Sequence, residues 1–151
     1  MKVHAETVLA LPIAQAFEVI SRMEDWFPLV DDAIESIVKT SEGPVGVGST
    51  LDENLNALGR VMCFVITVES YEPPNVVGFT SDGPILFARG TIRCEERGDS
   101  TAMLMDMDVT PQSWGWLLYP VLFVTMQSTE QGRLDKLSQL VADGTLKPSA
   151  G

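Results

Sequence analysis

The sequence is short of positive charge, cysteine and histidine. Ten Lys and Arg stand against 21 Asp and Glu, for a formal net charge of −11. Such a surface repels phosphate backbones, which argues against nucleic acid as a partner, and it disfavours docking on anionic lipid. Two cysteines, Cys63 and Cys94, do not make a disulfide framework. With only His4 beside them they are too few for a zinc site of Cys/His type, so neither a metal nor a cofactor is expected. A secretory leader is not expected either, because His4 and Glu6 interrupt the first ten residues. The longest apolar stretch, Trp114 to Met126, contains Gly115, Pro120 and Thr125. At about 13 residues it falls short of the roughly 20 that span a bilayer. Stable membrane insertion is therefore not expected, and a cytoplasmic location is. Internal repeats, low-complexity tracts and linkers are also missing.

What is present is ordinary globular material. The 151 residues are 45% apolar and 21% charged, enough for one core and too little for two. The pattern predicts one domain over residues 1–144 and a flexible tail over 145–151. Val3 to Ala10 reads as a strand that stops before Pro12. Pro12 suits the start of a helix, Ile13 to Ser21, with Ile13, Phe17 and Ile20 on one side. A second short helix, Met23 to Phe27, is expected to end before Pro28. Six strands follow: Ile34 to Thr40, Thr50 to Asn56, Arg60 to Tyr71, Val76 to Ser81, Ile85 to Glu96 and Thr101 to Thr110. Their connections, among them Leu58-Gly59, Glu72-Pro73-Pro74-Asn75, Asp82-Gly83-Pro84 and Gly98-Asp99, are short enough to make antiparallel neighbours. One long helix, Trp116 to Ala142, closes the chain, with Pro120 expected to kink it. A run of strands followed by a helix argues an α+β fold with the helix on one face of the sheet.

The turns set the register. A two-residue loop at Gly98-Asp99 places Cys94 opposite Met103, Ile92 opposite Met105 and Gly90 opposite Met107. The other face then carries Arg89 across from Asp108, Arg93 across from Leu104, and Asp106 nearby, a segregation that suits a half-buried sheet. The Pro73-Pro74 turn places Val68 opposite Phe79. Met62, Phe64, Ile66 and Val68 then share the inner face. The Leu58-Gly59 turn places Leu55 opposite Met62 and Glu53 opposite Phe64. Glu53 thus points into an apolar interior, where it needs a partner, a water or a raised pKa. If the register slips by one residue, Glu53 is instead a solvated strand residue.

Other features have a functional and an ordinary reading. The inward methionines suit a cavity of adaptable shape or plain core packing. Gly43 to Gly48 superficially resembles a phosphate-binding loop, but no Lys-Ser/Thr follows and the next element is a strand, so it reads as a turn. Trp26 either gates a cavity or plugs the core. Trp114, Trp116 and Tyr119 either stack on a ligand, touch a membrane or pack against the open end of the sheet. Gly132, in mid-helix, suggests close approach of a strand or a ligand. His4 has no Ser or Cys that can be placed beside it, so no nucleophilic triad is supported.

The order and spacing of several segments carry a resemblance. They are Pro12-Ile13-Ala14-Gln15-Ala16-Phe17, Met23-Glu24-Asp25-Trp26-Phe27-Pro28, Gly43 to Thr50, Tyr71-Glu72-Pro73-Pro74, Gly98-Asp99-Ser100-Thr101 and the closing helix. Over residues 3–143 the chain resembles the START/Bet v 1-like (SRPBCC) superfamily, in its polyketide cyclase/dehydrase and lipid-transport branch. The resemblance implies a helix-grip fold: a curved seven-stranded antiparallel sheet around the C-terminal helix, two short helices after the first strand, and a cavity between sheet and helix. On that reading Trp26, Phe64, Ile66, Phe79, Ile92, Met103, Met105, Met107, Leu122 and Met126 bind a ligand. Binding or transport of a small hydrophobic molecule (lipid, polyketide or quinone-like) is then the leading function, by a monomer or homodimer. A cyclase or dehydratase with Glu53 as its catalytic acid is the alternative. A third is an interaction domain with a filled core.

Overall fold

The computed structural model describes residues 1–57 and 59–149. Leu58, from one of the expected turns, and Ala150 and Gly151, from the expected tail, lie outside the described residues. The strands are β1 (Lys2–Leu9), β2 (Ile34–Lys39), β3 (Thr50–Ala57), β4 (Arg60–Glu72), β5 (Val76–Asp82), β6 (Leu86–Arg97) and β7 (Ser100–Pro111). The helices are α1 (Ile13–Ser21), α2 (Met23–Val30) and α3 (Tyr119–Ala142), with a 3₁₀ segment, Ser113–Leu118, leading into α3. All seven strands form one antiparallel sheet in the order β1-β7-β6-β5-β4-β3-β2. Each strand from β2 to β7 pairs with its chain neighbour, because short turns bring back the adjacent segment first. Strand β1 closes on β7, so the sheet runs from one end of the chain to the other before α3 lies across it. This is the helix-grip architecture that the resemblance implies.

The registers agree with the turn-based expectation. Cys94 pairs with Met103, Ile92 with Met105 and Gly90 with Met107. Val68 pairs with Phe79, Leu55 with Met62 and Glu53 with Phe64. Met62, Phe64, Ile66 and Val68 are all buried, alternating with more exposed neighbours along β4, as a sheet with one wet face requires. The main core joins Ile66 and Val68 of this face to Phe17 and Ile20 of α1, Trp26 of α2, and Leu134, Leu137, Leu140 and Val141 of α3, while Met62 and Phe64 pack with Ile85 in a separate cluster.

Several expectations give way to the tertiary structure. Helix α2 continues through Pro28 to Val30. Proline removes its own N–H donor, but its fixed φ is close to helical, so a helix held by side-chain packing can pass through it. Pro120 lies in the first turn of α3, where a missing N–H costs little, and it marks the start of the helix instead of a kink. The outer-face ion pairs are regrouped: Arg89 turns to Glu69 at 3.6 Å, Arg93 to Asp106 at 3.5 Å, and Asp108 to Lys2 at 3.2 Å. The expected tail is held down as far as Ser149. Leu146 is buried in the main core, Arg22 donates to the Lys147 carbonyl, and the Ser149 amide donates to Glu18 at 2.8 Å.

Two glycines have opposite meanings. A Cβ on Gly115 would fall on the Ile85 carbonyl oxygen, so only glycine lets the 3₁₀ segment lie against the start of β6. Gly132 is exposed and nothing lies near its missing side chain, so the close approach expected there does not occur. Gly132→Ala should therefore stabilise the fold by about 1 kcal/mol in urea denaturation. Gly115→Ala should destabilise it by about 1–3 kcal/mol, the cost of forcing backbone apart.

Candidate functional site

The sheet's inner face, α2 and the first half of α3 enclose a space of about 220 Å³. It exists because α3 packs tightly on the sheet only in its second half, where Leu134 and Leu137 are completely enclosed. Earlier in the helix the inward residues are Leu122, Met126, Glu130 and Arg133, at spacings of three and four that put them on one face. Thr125 and Thr129 also border the space and are exposed, so its opening lies along this edge of α3.

The wall is mostly apolar. Of the residues expected to bind a ligand, Trp26, Phe64, Ile66, Phe79, Ile92, Met105, Met107, Leu122 and Met126 border the space. Met103 does not. It is fully buried in the main core cluster, because its neighbours on that part of the sheet are covered by α1 and the second half of α3. Trp26 is fixed in place: its indole N–H donates to the Ile20 carbonyl at 3.1 Å, and its ring meets Phe27 edge-on at 4.5 Å. It therefore belongs to the core and to the wall at once. The phenyl ring of Phe79 lies over Gly90, whose missing Cβ makes room for it.

One end of the space is polar. Glu53 reaches it from β3, where its place opposite Phe64 turns it inward. The carboxyl is buried and has no hydrogen-bond partner among the described residues. Desolvation pushes its pKa up to about 7, against the pull of the Arg133 guanidinium and with help from the Glu130 and Asp31 carboxylates. Each nitrogen of Arg133 is engaged. Its Nε and Nη2 donate to one oxygen of Asp31, at 2.8 and 2.5 Å, and its Nη1 donates to Glu130 at 2.8 Å. Burial pushes the Glu130 carboxyl up, and Arg133 restrains that rise. The surrounding carboxylates outweigh the burial penalty on Arg133 and hold it cationic.

Sequence patterning points to few inward polar groups, and here it falls short: it misses Asp31, Glu130 and Arg133. A signal is present for two of them. Counting by three and four from Leu122 and Met126 leads to Glu130, Arg133 and Leu134, so two charged residues continue an inward stripe. Asp31, by contrast, is recruited from the end of α2 by a contact remote in sequence.

The proton on Glu53 ties stability to pH. The folded chain keeps it up to about pH 7, whereas the ordinary carboxyl value is 4.5. Between those limits the folded state binds more protons than the unfolded state, so stability falls as pH rises through the window. Glu53→Gln cannot titrate there. Between pH 4.5 and pH 8 it should gain stability relative to the native sequence by an amount on the order of 3 kcal/mol. Urea denaturation of both proteins across this range checks it, and parallel curves would contradict it.

The fold recurs in known proteins. A protein of Thermus thermophilus superposes with a TM-score of 0.79 at 19% identity, over 96% of this chain and 99% of that one. The Zhui aromatase/cyclase from a Streptomyces species matches with a TM-score of 0.79 at 13% identity, over 100% and 98% of the two chains. A START superfamily protein from Mycobacterium smegmatis matches with a TM-score of 0.64 at 16% identity, over 90% and 98%. Direct sequence comparison with curated proteins finds no match. At family level the match is clear and covers residues 1–142: the chain belongs to the family described as polyketide cyclase / dehydrase and lipid transport.

Proposed function

We propose that this protein binds a small, mostly apolar molecule of one or two rings between the sheet and α3, with Glu53 as its polar anchor. The observation that carries the reading is the Glu53 carboxyl: it borders the polar end of an otherwise apolar space and has no hydrogen-bond partner among the described residues. A lone buried polar group is costly, and a ligand that hydrogen-bonds to it removes that cost while burying its own apolar surface at about 25 cal/mol per Å².

Size and charge narrow the class. A space of about 220 Å³ exceeds the roughly 150 Å³ that admits benzene but is below the 300–1,000 Å³ of most ligand pockets. It suits a phenol, a small quinone or a short polyketide-derived ring better than a sterol or a two-chain lipid. Three carboxyls surround one guanidinium at the polar end, so a ligand carboxylate would meet repulsion. A hydroxyl or carbonyl fits, because Glu53 near its titration point can accept or donate a hydrogen bond.

The same property favours a second reading, an enzyme of cyclase or dehydratase type. A carboxyl with a pKa of about 7 inside an apolar cavity can give and take a proton at neutral pH. Proton transfer would then be the chemistry of Glu53, and the cavity would hold the chain folded against it.

Fluorescence titration with 2-naphthol and 2-naphthoate tests the binding reading. The neutral phenol should bind at least about tenfold more tightly than the carboxylate at pH 7, and Glu53→Gln should weaken it by about the same factor. Met107→Trp or Leu122→Trp, which fill the space, should abolish binding while the circular dichroism spectrum stays native. Undiminished binding to both filled variants would sink the proposal.

A further inference from the structure

Strand β1 is an edge strand, yet α3 occupies its outer backbone groups. Met1 and Val109 exchange both backbone hydrogen bonds, at 2.8 and 2.7 Å. Pairing alternates along an antiparallel ladder, so Val3, Ala5 and Thr7 face β7 in the same way, while His4, Glu6 and Val8 turn their N–H and C=O groups outward. The Gln127 side-chain amide accepts from the His4 N–H at 3.0 Å and donates to the His4 carbonyl. Gln131 does the same for Glu6, accepting from its N–H at 3.2 Å and donating to its carbonyl at 2.8 Å. Gln131 also donates to Asp135 at 2.9 Å, which orients the amide, and further along the helix Ser138 donates to the Val8 carbonyl at 2.8 Å.

We infer that Gln127 and Gln131 are positioning residues that set the height of α3 above the sheet and so keep the space beside Glu53 from closing. Three observations carry it. Four residues of helix rise about 6 Å and two residues of strand about 6.7 Å, so amides four apart on α3 meet alternate residues of β1 without strain. The clamped positions each follow a residue that lines the space, Met126 and Glu130, and both precede Leu134, where the helix closes on the core. The clamps therefore act on the half of α3 that lacks tight packing of its own. On the far side, Arg133 ties the same stretch to Asp31 at the end of α2, which packs beside β2 at the other end of the sheet.

An apolar helix face above unfilled space is drawn inward, because closing the gap removes apolar surface from water. A side-chain amide bonded through both its oxygen and its nitrogen to one backbone unit opposes that motion. If the helix sinks or rolls, the distances and angles of all four bonds are lost together. On the reading that the space holds a ring compound anchored at Glu53, the same height sets which rings fit.

Amide hydrogen exchange, followed by NMR on the full chain, tests the clamps. The His4 and Glu6 amides should be protected in the native protein. Gln127→Ala should speed exchange mainly at His4 and Gln131→Ala mainly at Glu6, each at least about tenfold, while Val3, Ala5 and Thr7 stay protected. Equal acceleration at all five amides, or at none, overturns the inference. Xenon reports on the space without any ligand. It should shift the methyl signals of Met105 and Met107 in the native protein, and by at least about threefold less in the Gln127→Ala/Gln131→Ala double variant. Equal shifts in the two proteins overturn the inference. The double variant should also bind 2-naphthol about tenfold more weakly while keeping most of its affinity for the smaller phenol. A role confined to stability would leave the ratio of the two affinities unchanged, and that result likewise overturns the inference. A native protein that takes up xenon but neither phenol nor 2-naphthol counts against the binding reading alone, and the xenon comparison then decides the role of the clamps.

Discussion

The ion pair between Arg133 and Asp31 is the contact on which the site depends. It ties α3 to the end of α2 at the point where α3 stops packing on the sheet. Beyond Arg133, Leu134 and Leu137 close down on the core; before it, the helix stands away and leaves room. Because both oppositely charged groups are largely removed from water, losing either would leave the other buried and unpaired, a far greater cost than for a surface pair. The bridge also orients Glu130 and sets the electric field at Glu53.

That field explains why a strand residue so ordinary in type has unusual character. Glu53 sits on an inner face dictated by alternation, opposite Phe64 and two residues from Leu55. Its carboxyl lacks the hydrogen bonds that Asp31 and Glu130 accept from Arg133, and desolvation dominates. The result is one protonatable group at the polar end of an apolar space. The proposed binding and the alternative acid–base chemistry would both draw on this arrangement, and the family's description spans cyclases, dehydrases and lipid transport. On α3, Leu122, Met126, Glu130 and Arg133 form the inner wall.

Local patterns determined much of this protein. Alternation and short turns specify seven antiparallel strands and their order in the sheet from β2 to β7, and they fix the last hairpin, where a slip of one residue would bury Arg89 and its acidic neighbours; for Glu53 they leave two registers open, of which the fold adopts the inward one. Periodicity specifies the closing helix. Nine of the ten residues assigned to the cavity wall border it, because sheet alternation and helix spacing say which side a residue faces.

Only the tertiary structure decided how far apart those faces stand. Whether inward methionines meet only partners or also a space depends on where α3 leaves the sheet, and so Met103 is wholly enclosed while Met105 and Met107, packed in the same core, also border the space. The engagement of Arg133 with Asp31, the docking of the tail on α1, and the exposure of Trp114 and Trp116 likewise come from contacts between distant segments. Periodicity is a property of neighbours along the chain and carries direction; distance and ion pairing are properties of neighbours in space, which one sequence does not encode locally.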